Sequence, residues 1–130
     1  MTKNKNINQR ARGMKYRHYA PKAGLTIVEG STERVIRTIN EKSRELQSKG
    51  KRVGVIGTDE TVGYYEAQVI KSIGARQDEE SIARHLFGLL REFDQEQVDY
   101  IFSEAFDTPR MGQAIMNRLL KAAGHHLIHV

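Results

Sequence analysis

Short β-rich runs alternate with longer stretches of helical period along the body of this chain, and no other feature restricts the fold as much. Leu25-Thr26-Ile27-Val28 is β-rich and ends at Gly30, which predicts a first strand. Ser31 then offers an N-cap, Val35, Ile36, Ile39 and Leu46 recur near the helical period, and Gly50 supplies a C′ stop, so a helix is predicted over 32–49. Val53-Gly54-Val55-Ile56-Gly57 is short, apolar and β-branched between charged flanks, as expected of a strand buried on both faces and placed centrally in a sheet.

A third β-rich run, Ala67 to Ile73, ends at Gly74. Too few residues precede it for a long crossover helix, which leaves room for a short one around Val62 to Glu66. Asp78 caps a strongly amphipathic stretch with Ile82, Leu86, Leu89, Leu90 and Phe93 on one face, predicting a long helix. Val98 to Phe102 reads as a fourth strand, Gly112 to Ala123 as a helix with Ala114, Ile115, Leu119 and Ala122 inward and Gly124 as its stop, and His126 to Val130 as a fifth strand. The order predicts an α/β domain of three layers: a mostly parallel sheet of about five strands with helices on both faces.

The 130 residues, 38% of them hydrophobic, suit one domain with one core. The absence of cysteine excludes disulfides, thiol catalysis and a zinc-cysteine site. Neither a signal-peptide h-region nor a run of roughly 20 apolar residues is present. A soluble chain in the cytoplasm, with no membrane partner, is the expectation.

In such an architecture the loops at the strand C-termini form the ligand crevice. This directs attention to 57–61 and 103–112, with Gly57, Thr58, Glu104 and Gly112 as candidate crevice residues. Neither loop carries G-x-G-x-x-G or a P-loop, and strand-end glycines are read as structural, because tight turns need φ > 0 or a missing Cβ. Glu104 and Asp107, placed just past the fourth strand, read as solvated-loop or helix-capping charges rather than catalytic acids. His125, His126 and His129 do not make a metal site, since neighbours in a strand point to opposite faces. His85 is expected to be exposed.

Charge separates the N-terminus from this body. Residues 1–22 hold seven Lys and Arg and no Asp or Glu, which leaves 14 basic and 16 acidic residues in 23–130. The net charge of +5 therefore belongs to an arm of +7 on a body of −2, and an anionic partner is sought at the arm first. Residues 1–12 are Asn-rich and basic with a lone Ile7, predicting a disordered tail. Residues 13–24 form a basic and aromatic arm ahead of the domain at 25–130. Within the arm, Lys15, Tyr16, Arg17, His18 and Tyr19 lack apolar spacing and are types that stack on planar ligands and donate to phosphates, which marks a contact segment.

Gly13-Met14-Lys15-Tyr16-Arg17-His18-Tyr19-Ala20-Pro21-Lys22-Ala23 resembles the interdomain linker of the long, two-domain threonylcarbamoyl-AMP synthases. Ile82 to Asp94 and Ala114 to Ala123 resemble two helical signatures of their C-terminal domain, which is Rossmann-like. The departures are Arg12, where the family usually has Pro, and Pro109-Arg110-Met111-Gly112 in place of a glycine-rich approach. The resemblance implies an enzyme that joins ATP, threonine and bicarbonate into threonylcarbamoyl-adenylate and pyrophosphate, the first step of t6A modification of tRNA. It also implies that the chemistry, with its ATP and Mg, belongs to a YrdC-like catalytic domain, and that this chain is the accessory part, with no cofactor or turnover of its own. Lys15, Tyr16, Arg17, His18 and Tyr19 match the linker that closes over the active site. A tRNA-binding module built on the arm and a nucleotide-sensing Rossmann-like domain are the alternatives.

Overall fold

A computed structural model describes residues 20–130; the expected tail and the arm residues Lys15, Tyr16, Arg17, His18 and Tyr19 lie outside the described residues. The elements are β1 (Gly24–Glu29), α1 (Thr32–Ser48), β2 (Val53–Gly57), a 3-10 turn (Val62–Tyr64), β3 (Val69–Ser72), α2 (Glu79–Gln95), β4 (Tyr100–Glu104), α3 (Gly112–Ala122) and β5 (Leu127–His129). The strands form one sheet in the order β3-β2-β4-β1-β5, and every neighbouring pair is parallel.

Local signals set most boundaries. The Ser31 side chain accepts from the Arg34 amide and the Asp78 carboxylate from the Ser81 amide, so both long helices begin where the sequence places a cap. Gly50 and Gly124 take left-handed φ values of 81° and 58°, a conformation that L side chains resist, and they end α1 and α3.

Strand alternation then sorts the apolar residues onto two faces. Leu25, Ile27, Ile56 and Ile101 pack under α2 and α3 with Ile82, Leu86, Leu90, Phe93, Ile115 and Leu119. Val28, Val53, Val55 and Phe102 pack under α1 with Val35 and Ile39. Each fully buried side chain of this size contributes about 1.5–3 kcal/mol through area removed from water. The three-layer α/β expectation holds, with a sheet that is parallel throughout.

Three expectations are corrected. The middle strand is β4, and β2 is the interior strand between β3 and β4. β4 lies two residues later than its apolar run suggests: Val98 is a buried plug beside Gln97, whose φ is 58°, while Ser103 and Glu104 extend the ladder opposite Ile27 and Val28. Ala114 points to solvent, because α3 lies on the sheet through Ile115, Leu119 and Ala122.

Candidate functional site

β1 and β4 lie side by side, yet the chain leaves them in opposite directions: α1 carries it from β1 to β2, and α3 carries it from β4 to β5 on the other face. This reversal is the topological switch point of an open parallel sheet, where the departing loops part and leave a crevice. A cleft of about 270 Å³ opens there, lined by Glu29, Gly30, Thr32, Arg76, Asp107 and Thr108 among others. A cleft of about 550 Å³ adjoins it along Thr32, Ile36, Glu60, Thr61, Tyr64 and Arg76. A third, of about 640 Å³, runs past Arg76, Glu79, Thr108 and Arg110. Arg76 lines all three.

Beneath Arg76 is a carboxylate that the sequence reads as solvated. Glu104 is 4% exposed, and its Oε2 accepts from the Thr61 hydroxyl at 2.5 Å and the Tyr65 hydroxyl at 2.6 Å. Its Oε1 is paired with the Arg76 guanidinium. Arg76 also donates to the Ala105 carbonyl at 3.4 Å and rests over the Phe106 ring. A buried carboxylate persists only when its lone pairs are met, and here three side chains from two connections, β2–β3 and β3–α2, meet them. Burial, and then the Glu104 charge, push the Tyr65 phenol far up from its ordinary value, so Tyr65 stays a hydrogen donor at any physiological pH.

Gly57 and Thr58 belong to the same cluster. A Cβ on Gly57 would lie 3.0 Å from Thr61 Oγ1 and 3.2 Å from Glu104 Oε2, so this glycine is needed for its missing side chain. Thr58 is fully buried and donates its amide to Thr61 Oγ1 at 3.0 Å. Gly112 is buried on the other flank, where a Cβ would press within 3.4 Å of the Phe106 and Asp107 backbone and the Thr108 hydroxyl, and it does not join the Glu104 cluster. Asp107 is exposed, as expected. Because Glu104 is engaged on both oxygens, it acts as a keystone for the crevice and not as an open general base.

Glu79 was not among the sequence candidates. From the first turn of α2 its Oε1 accepts the Arg110 and Met111 amides at 3.1 and 3.0 Å, and its Oε2 accepts Arg110 Nε at 3.0 Å. It thus caps α3, whose own N-cap, Met111, has no side-chain acceptor. The Met111 amide, then the Thr108 hydroxyl and the Arg110 donors, bring its pKa down to about 2. Tyr65 and Arg76 were also missed, since both lie in loops or turns where apolar periodicity is silent; Thr61 closes the 57–61 loop that the sequence marks but carries no role there.

His85 is exposed, as expected, with Nδ1 3.1 Å from the Ser81 hydroxyl. His125 takes a left-handed φ of 65° ahead of β5, so it is not the strand neighbour of His126 that the sequence suggests, and His129 pairs with Glu29 at 2.8 Å. Among the described residues no cluster of His, Cys, Asp and Glu suits a metal ion, and no helix is long and apolar enough to cross a membrane.

The arm joins the domain at the opposite edge. Pro21 is buried, the Lys22 amide donates to Asp94 Oδ1 at 2.9 Å near the end of α2, and Ala23 packs on the α2–α3 core. The length of β1, about 20 Å for its six residues, separates this root from the clefts.

Comparison with known proteins gives a consistent set of likenesses. A family model described as threonylcarbamoyl-AMP synthase, C-terminal domain, matches residues 1–124, starting ahead of the Gly13 motif. The threonylcarbamoyl-AMP synthase of Bacillus subtilis (strain 168) is 49% identical over 116 residues, which are 89% of this chain and 32% of that protein. A crystal structure of Pyrococcus abyssi Sua5 complexed with L-threonine aligns with a TM-score of 0.73 at 40% identity, over 91% of this chain and 33% of that one. The C-terminal Sua5 domain from a hypothetical Sua5 protein of Pyrococcus horikoshii aligns with a TM-score of 0.67 at 34% identity, over 85% of this chain and 100% of that one. The chain spans about a third of the length of the curated relative.

Proposed function

Because the chain belongs to the threonylcarbamoyl-AMP synthase C-terminal domain family, we propose that it is the accessory and regulatory domain of such a synthase, with an arm that gates an active site housed on another domain. The reaction served is the joining of ATP, threonine and bicarbonate into threonylcarbamoyl-adenylate and pyrophosphate for t6A modification of tRNA, in the cytoplasm. ATP and Mg belong to the YrdC-like catalytic domain, which is the partner of this chain.

One observation carries the reading: the chain is about a third of its synthase relative, yet its five strands close one sheet over two cores. A self-sufficient fold of this kind acts on a neighbour through what projects from it. The root of the arm leaves from the edge away from the clefts, and in this reading Lys15, Tyr16, Arg17, His18 and Tyr19 contact the catalytic domain. Rings and cations at that position exclude water from a labile mixed anhydride and offset charge on departing pyrophosphate.

The test is a product assay. The pure chain is expected to form no threonylcarbamoyl-adenylate, and mixing with a separately expressed catalytic domain is expected to raise that domain's synthesis. Tyr16→Ala with Arg17→Ala is expected to remove the gain and leave the melting temperature unchanged. Product from the pure chain, or a double variant that still stimulates, overturns the reading.

The charge asymmetry supports a second reading, in which the arm of +7 holds tRNA. Each phosphate contact then contributes roughly −0.7 to −0.9 to the slope of log affinity against log salt. A flat salt dependence, or RNA affinity that survives deletion of 1–22, excludes it.

A further inference from the structure

We infer that the C-terminal edge of the sheet carries a nucleoside monophosphate site, with the Tyr64 ring as the platform for the base and Arg76 as the partner of the phosphate. The site is made of described residues alone and does not rest on the gating proposal.

Tyr64 is 67% exposed, and among the described residues it is the one large hydrophobic side chain left outside. Its backbone is held in place. Asn40, buried on α1, donates from Nδ2 to the Tyr64 carbonyl and accepts the Glu66 amide on Oδ1, both at 2.9 Å. Between those bonds the Tyr65 ring turns inward to Glu104. With its own carbonyl and the two residues after it anchored, the Tyr64 ring is presented at low entropic cost, as stacking platforms for planar ligands are.

The ring borders the cleft of about 550 Å³, within the range that small-molecule sites occupy. Thr32 and Arg76 line this cleft and also the switch-point cleft of about 270 Å³, so one ligand of mononucleotide size spans both. A guanidinium has five N–H donors, and Arg76 makes its bonds within the domain to Glu104 and Ala105 while its side chain stays 37% exposed. It is therefore fixed in place and still able to take a phosphate in its planar fork. Glu60, whose carboxylate accepts the Arg76 amide at 3.0 Å, lines the same cleft and suits ribose hydroxyls. Glu29 and Asp107 line the smaller cleft, and their negative charge favours one phosphate over three.

Isothermal titration of the full chain with AMP, adenosine, inorganic phosphate and ATP tests this. AMP is expected to bind at submillimolar concentration, with each of the other three at least about tenfold weaker. Tyr64→Ala is expected to lose about tenfold or more in AMP affinity, Tyr64→Phe to keep it, and both to melt like the parent, since the ring is exposed. The Tyr16→Ala, Arg17→Ala variant is expected to bind AMP normally. Absence of AMP binding at millimolar concentration, phosphate binding as tightly as AMP, or a Tyr64→Ala chain with undiminished affinity overturns the proposal. Loss of binding in the arm variant overturns it too, by placing the nucleotide on the arm.

Discussion

The Tyr65 hydroxyl donates to Glu104 Oε2 at 2.6 Å across 39 residues of sequence, tying the turn after β2 to the end of the middle strand. Thr61 reaches the same oxygen and Arg76 the other. The crevice at the switch point is therefore built on one buried negative charge whose partners come from two loops, the β2–β3 connection and the β3–α2 connection.

Tyr65→Phe tests that arrangement with little change in shape. A hydrogen bond to a charged group contributes about 1.5–3 kcal/mol, so urea and thermal melts should show a loss in that range. A change below about 0.3 kcal/mol would sink the keystone argument. The sign with pH also follows: the folded phenol is raised above the ordinary Tyr value of 10.0. Its contribution is complete below pH about 10 and fades above it, as the unfolded phenol ionises. The variant should lack this alkaline decline.

Glu79 predicts the acid limb. Its folded pKa of about 2 lies below the ordinary value of 4.5, so the unfolded state binds the proton first as pH falls. The stability it contributes is present above pH about 4.5 and is lost on the way down to about 2. Glu79→Gln should flatten stability against pH across that window and fray the start of α3, which hydrogen exchange at the Arg110 and Met111 amides would report. A slope equal to that of the parent would remove Glu79 from this role.

Gly54 should be intolerant where Gly63 is indifferent. A Cβ on Gly54 would sit 2.6 Å from the ring of buried Phe93, while one on Gly63 meets nothing within 4 Å. Overpacking of this kind costs about 1–3 kcal/mol, so Gly54→Ala is expected to lower the melting temperature by roughly 4 °C or more. Gly63→Ala is expected to be neutral or slightly stabilising. Equal melting temperatures for the two variants contradict the packing described for β2.

Asn40→Ala leaves the Tyr64 carbonyl and the Glu66 amide without their side-chain partner. A loss of about 1–3 kcal/mol is expected, together with weaker AMP binding, because the stacking ring is no longer held. Full affinity for AMP in this variant would show that Asn40 does not organise the Tyr64 platform.

Much of the fold was legible because its signals are local. Ser31 and Asp78 cap helices whose amides lie three residues away, and the period of Ile82, Leu86, Leu90 and Phe93 directly states which face of α2 is buried. Val53 to Gly57 reads as a buried strand because all five residues are apolar or glycine, and all five are buried. The expected crevice loops contribute Thr61, Glu104, Asp107 and Thr108 to the clefts, while Gly57, Thr58 and Gly112 line none of the three, and the status of Glu104 was not legible. A carboxylate closing a strand looks the same in sequence whether water or three hydroxyl and guanidinium donors surround it.

The sequence by itself determined the elements, their order, their apolar faces and the concentration of positive charge ahead of Gly24, since each depends on residues within a few positions of one another. Only the tertiary structure decided that β4 is the middle strand, that Glu79 caps a helix more than thirty residues away, and that Arg76 stands over Glu104 at the meeting of three clefts. The first depends on pairing between strands far apart in sequence, and the other two on the desolvation of charged groups. A charge can be buried only where distant segments arrive together to satisfy it, and no local pattern records that meeting.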